Sequence, residues 1–157
     1  MEADMQAPLS RRLRLVLALT CFALLAGPAV AGGPYRFFAV TPCRLFDTRL
    51  PANAPALSSG VPRTVTVQGV CGVPTGAKAA VVNVTAIDPN KTGSLVAWRS
   101  DVAMPAVSTL NFSSSDTSVA NGAIVSLSAT TPDLKVQASL VQPGSVHVVV
   151  DVTGYFQ

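Results

Sequence analysis

Only a handful of side chains in this sequence have types and spacings that chemistry can use. Asp47 and Arg49 stand two apart on an extended segment, so their side chains share one face. Asp151 alternates with valines near the C-terminal end. Asn83 holds the matching position in a similar run, Val81-Val82-Asn83-Val84-Thr85 against Val149-Val150-Asp151-Val152-Thr153. Charged groups beside a core need partners. That requirement predicts a structural polar network of Asp47, Arg49, Asn83, Asp151 and His147, with Arg49 as the counter-ion of Asp151. The sharper alternative is a calcium site, whose ligands are carboxylate and amide oxygens. Arg49 argues against it and the sequence has no Asp-rich loop, so no metal and no cofactor is expected.

His147 is the only histidine. A Ser-His-Asp hydrolase would need it beside a serine, yet no serine sits in a Gly-x-Ser-x-Gly elbow. The plainer expectation is a strand residue hydrogen-bonded to a neighbour, and no enzyme. Trp98, Tyr35 and Tyr155 are the aromatics that a ligand would contact if exposed. Aromatic residues make up only 6% of the chain, so packing is the first expectation for each. Asn83-Val84-Thr85 and Asn111-Phe112-Ser113 match glycosylation sequons, but both asparagines fall in or beside strand-like runs.

These residues must be positioned by the elements around them, and the first 31 residues stand apart from those elements. Arg11, Arg12 and Arg14 precede the uncharged apolar run Leu15 to Ala26, and Ala29-Val30-Ala31 supplies a small-x-small cleavage site. That is the pattern of a secretory signal peptide over residues 1–31. The apolar run is shorter than the ~20 residues of a spanning helix, and Gly27-Pro28 ends it. No membrane span is therefore expected after cleavage. Removing these residues takes three arginines, Glu2 and Asp4 from a chain of formal charge +3. The basic character is then largely a property of the leader, and nucleic acid is not an expected partner. Cys43 and Cys71 are the only cysteines beyond the leader. In an oxidising compartment they are expected to pair.

Residues 32–157 read as one all-β domain. The chain is 49% hydrophobic and 12% charged, which excludes disorder. Val146, Val148, Val150 and Val152 alternate with His147, Val149, Asp151 and Thr153, the period of a strand with one buried face. Further strands are predicted over residues 35–40, 63–68, 79–87, 94–99, 107–112, 124–129 and 134–141. Residues 50–61 read as a loop, and Asn121-Gly122 reads as a tight turn. With turn signals at intervals of 8 to 15 residues, about nine strands result. The expected architecture is a single β-sandwich with Greek-key connections.

Several of these blocks recur together. Pro42-Cys43-Arg44 with Asp47-Thr48-Arg49, Cys71-Gly72-Val73-Pro74 and Asn83-Val84-Thr85-Ala86 form the first half of a series. Ser108 to Phe112, Ala120-Asn121 with Ile124-Val125, and His147 to Phe156 complete it. The series resembles a recurring β-rich module of secreted bacterial proteins, found alone behind a signal peptide or appended to extracellular enzymes. The resemblance implies an extracellular β domain without known catalysis, and the leader places the protein outside the cell or in the periplasm. The segment Arg99 to Met104 departs from it, because a glycine-containing turn is expected there. The function expected is a secreted, non-catalytic module acting at the cell surface or in the extracellular matrix. Its partner would be a surface polymer, a glycan or a protein. A carbohydrate-binding module is the first alternative and a small secreted hydrolase the second.

Overall fold

The alternating valines near the C-terminal end form the longest strand, and the rest of the architecture is arranged around it. The computed structural model describes residues 34–157. The leader expected over residues 1–31 lies outside the described residues. In chain order the strands are β1 (Phe37–Asp47), β2 (Leu57–Ser58), β3 (Arg63–Val65), β4 (Ala79–Ile87) and β5 (Gly93–Arg99). They continue with β6 (Leu110–Phe112), β7 (Ser118–Ser126), β8 (Leu134–Leu140) and β9 (Ser145–Phe156), and a short 3-10 turn covers Pro51–Asn53.

Two antiparallel sheets pack face to face. The first runs β1-β9-β4-β7, with β2 also paired to β9, and the second runs β3-β8-β5-β6. Four of the pairings are nested: β1 with β9, β3 with β8, β4 with β7, and β5 with β6. The chain is thus one long hairpin rolled upon itself; β2 adds to β9 within it, and rolling creates the contacts of β4 with β9 and β5 with β8. This is the jelly-roll form of the sandwich, in which two Greek keys interlock.

Burial of one face explains the roll. Val146, Val148, Val150 and Val152 of β9 point inward with Ala80, Val82, Val84 and Ala86 of β4. Leu95 and Ala97 of β5 and Leu134, Val136 and Ala138 of β8 meet them from the other sheet. Each valine-sized side chain so buried contributes ~1.5–3 kcal/mol. The two similar sequence runs are neighbours: β4 and β9 pair antiparallel, with Asn83 opposite Asp151, and Val84 opposite Val150.

Several sequence-based boundaries need correction. Asn121 and Gly122 do not turn the chain but lie in the middle of β7, opposite Val84 and Asn83. No positive φ is needed at Gly122, and the Asn121 side chain donates to Thr109 O at 2.7 Å. Strand β1 runs straight through Thr41-Pro42, absorbing the proline in a register shift between Ala39 and Cys43. The loop expected over residues 50–61 contains β2, and the strand expected over 63–68 ends at Val65. Its continuation is held instead by Asp133, a fully buried carboxylate that accepts the amides of Val67 (2.8 Å) and Gln68 (2.7 Å). The Gln68 side chain then accepts from Gly76 N and donates to Ser128 O.

Candidate functional site

The polar residues singled out above gather on the outward face of the first sheet, around the middle of β9. That face begins with backbone register. Arg44 of β1 lies opposite Asp151 of β9, and Asp151 lies opposite Asn83 of β4. Val149, two residues back, also points outward yet is only 2% exposed, flanked by Asp47 and Thr85 in the register. A second register shift in β1, between Arg44 and Phe46, turns both Leu45 and Phe46 toward the core. It leaves Arg44 and Asp47 on the same side.

The charges form a chain of four. Arg44 donates through Nε and Nη2 to the two oxygens of Asp151, at 2.9 and 3.3 Å. Its Nη1 reaches Asp47 Oδ2 at 3.0 Å. Asp47 is also clasped by Arg49, through Nε (2.9 Å), Nη2 (2.8 Å) and the backbone amide (3.0 Å). The partner of Asp151 is therefore Arg44, not Arg49. The hydrogen bonds from Arg49 hold the Asp47 carboxyl far below the usual carboxylate range, and the Arg44 charge adds to the effect. The bond to Asp151 raises the Arg44 guanidinium above its ordinary value. Paired, bidentate charges of this kind stay ionised and fix geometry.

Asn83 and His147 stand beside this chain rather than in it. Asn83 Nδ2 donates to Thr85 Oγ1 at 3.3 Å. The His147 Nδ1 lies 3.1 Å from Thr48 Oγ1. Thr48 is buried, and its hydroxyl also accepts the Val148 amide at 2.8 Å. Its contacts fasten the end of β1 to β9.

Next to the charges the surface opens into a hollow lined by Pro42, Cys43, Arg44, Asn83, Asp151 and Thr153. Cys43, which lines it from β1, is joined to Cys71 in a disulfide with 5.8 Å between the Cα atoms. Beyond Thr153 the face becomes apolar. Phe37 is 53% exposed and meets Phe156 at a ring distance of 5.5 Å. A Cβ on Gly154 would run into the Phe37 ring, so glycine is required where β1 crosses β9.

Of the three aromatics singled out in the sequence, Trp98 and Tyr155 pack, as first expected, and Tyr35 is exposed. Trp98 is only 6% exposed and lies outside the core cluster, and its Nε1–H is spent on Val102 O at 3.1 Å. The segment Arg99 to Met104 thus supplies the indole's partner. It is pinned further by the Arg99–Asp101 ion pair. Tyr155 stacks on Phe38 at 5.2 Å and packs against the core, whereas Tyr35 is 51% exposed. The exposed aromatics on β1 are Phe37 and Phe38, which sequence reasoning assigned only to a strand. Their signal was the aromatic pairing itself, Phe37-Phe38 against Tyr155-Phe156.

Among the described residues no group of three or more His, Cys, Asp or Glu side chains is placed to hold a metal ion. None of these residues forms a helix long and apolar enough to cross a membrane. Compared with known proteins, the chain matches no family model, no curated protein and no solved structure.

Proposed function

We propose that the protein is an exported, non-catalytic module that binds an extracellular polymer, glycan or protein on the outward face of its first sheet. The observation that carries this reading is the open hollow of Arg44, Asn83, Asp151 and Thr153, followed one residue on by Gly154 and the exposed Phe37 ring that lies against it. An open surface of hydrogen-bonding groups suits an extended ligand better than a small, enclosed one. Export is supported by the leader pattern in residues 1–31 and by the Cys43–Cys71 bridge, which belongs to oxidising compartments. The charges do not suit proton transfer. Asp47 is held ionised by Arg49 and has little basicity left to offer. The hydroxyl nearest His147 belongs to buried Thr48 and is committed to the Val148 amide.

One observation favours a carbohydrate among these ligands. An apolar ring beside amide, hydroxyl and carboxylate groups matches a sugar, which has an apolar face and a polar rim. The test is a glycan and cell-wall polymer array probed with the parent protein and with Asn83→Ala, which disturbs no ion pair. Binding by the parent that weakens in Asn83→Ala is expected. Binding indifferent to Asn83 would move the site elsewhere. Turnover of an ester or glycoside that disappears in His147→Ala would replace the whole reading with a hydrolase.

A further inference from the structure

The two sheets have four outer edges, and three are blunted. Strand β1 carries Pro42, two register shifts and the disulfide. Strands β3 and β6 are three residues long. Such devices stop one sheet from adding to another. Strand β7 has none of them. Its nine residues pair with β4 without a register shift, contain no proline, and carry no charge. No ionisable side chain occurs between Asp116 and Asp133.

Alternation fixes which backbone groups are free. The flanking bonds Asp88 N to Thr117 O and Leu127 N to Lys78 O show that odd-numbered residues of this segment turn their polar groups toward β4. Ser118, Ala120, Gly122, Ile124 and Ser126 therefore point N–H and C=O away from the sheet. All five are exposed, Ile124 at 66%, and none has a backbone partner among the described residues.

We infer that β7 is a pairing edge for a second copy of this chain, joined antiparallel about a two-fold axis at Gly122. The free positions read Ser-Ala-Gly-Ile-Ser, nearly the same in both directions, as a self-complementary interface requires. Centred on Gly122, each Ser118 faces Ser126 of the other copy and each Ala120 faces Ile124. Hydroxyl pairs and apolar pairs of this kind stabilise neighbouring strands. The absence of charge means that two identical edges do not repel. The two first sheets become one continuous sheet, and the exposed Ile124 gains a cover.

Sedimentation of the purified protein, expressed from the full-length sequence, tests the pairing. A concentration-dependent dimer is expected. Gly122→Lys places two ammonium groups opposite each other at the axis, while a Cβ there meets nothing within 4 Å in the monomer. This variant is expected to stay monomeric where the parent dimerises, with the melting temperature of the dilute, monomeric parent. Gly122→Cys provides a second route, should the lysine variant fail to fold. Directly opposed residues that exchange hydrogen bonds lie ~5.5 Å apart at Cα, within disulfide reach. Under mild oxidation Gly122→Cys should give a covalent dimer, and Ala120→Cys, offset from its own copy, should not. A parent that is monomeric at all concentrations overturns the inference. So does a dimer that Gly122→Lys leaves intact, or an edge that takes up only a foreign extended peptide.

Discussion

Asp47 is the side chain on which the outward face depends. It is almost fully buried, accepts hydrogen bonds from two guanidinium groups, and holds both arginines in position. Its folded-state affinity for a proton is depressed from an ordinary value of 3.8. A carboxylate of this kind contributes its full stability above the unfolded value and loses it as pH falls toward the folded one. Unfolding free energies measured from pH 6 down to pH 3 should therefore decline more steeply in the parent than in Asp47→Asn. The gap between the two should narrow with acid, and parallel curves would show that Asp47 is not the titrating anchor. Asp47 and Arg49 do meet, but not as neighbours on an extended strand: Thr48 and Arg49 form a turn closed by Leu50 N to Asp47 O at 3.1 Å, which spacing alone did not announce. Nor was the role of Arg44 legible, because it stands three positions before Asp47 and a regular strand would place the two on opposite faces. Only the shift between Arg44 and Phe46 reunites them, and no residue type in Arg44-Leu45-Phe46 announces it.

At the scale of elements, strand crossings set the constraints. Gly154 lies where β9 runs under Phe37, and an added methyl group would also press on the Phe38 carbonyl. Gly154→Ala is expected to destabilise by about 1–3 kcal/mol, the usual cost of overpacking. Chemical denaturation read by tyrosine and tryptophan fluorescence would measure it, and a change within 0.5 kcal/mol would mean that Phe37 moves aside freely. The strands themselves were legible from valine alternation, and the neighbouring positions of β4 and β9 from their shared pattern. Strand β7 was not. Asn-Gly is the common signature of a tight hairpin turn, but here the flanking residues are already paired with β4, and tertiary pairing overrides local preference. Trp98 packs, as first expected of it, but what packs over it was not legible for a related reason. The segment that covers it carries no apolar periodicity and binds the indole through a backbone carbonyl.

For the whole molecule the decisive fact is the rolled hairpin, in which the partners are distant in sequence. Arg44 and Asp151 are 107 positions apart. The disulfide spans only 28, and closing a loop of that size stabilises by ~3–4 kcal/mol in the chain-entropy account. Cys43→Ala should lower the unfolding free energy by about that amount. A loss below 1 kcal/mol would show that Asp133 and Gln68 fasten the 67–77 segment unaided. Nesting also orders events in time. Synthesis delivers β1 first and its neighbour β9 last, so β1 spends the interval without a strand to lie against. Leu45 and Phe46, which turn toward the core, wait for their cover until β9 has emerged. The earliest tie open to it is Cys71, which becomes available while most of both sheets is still to be made. A bond formed then would hold the first strand beside the turn that follows β3, in the place where β9 must later arrive.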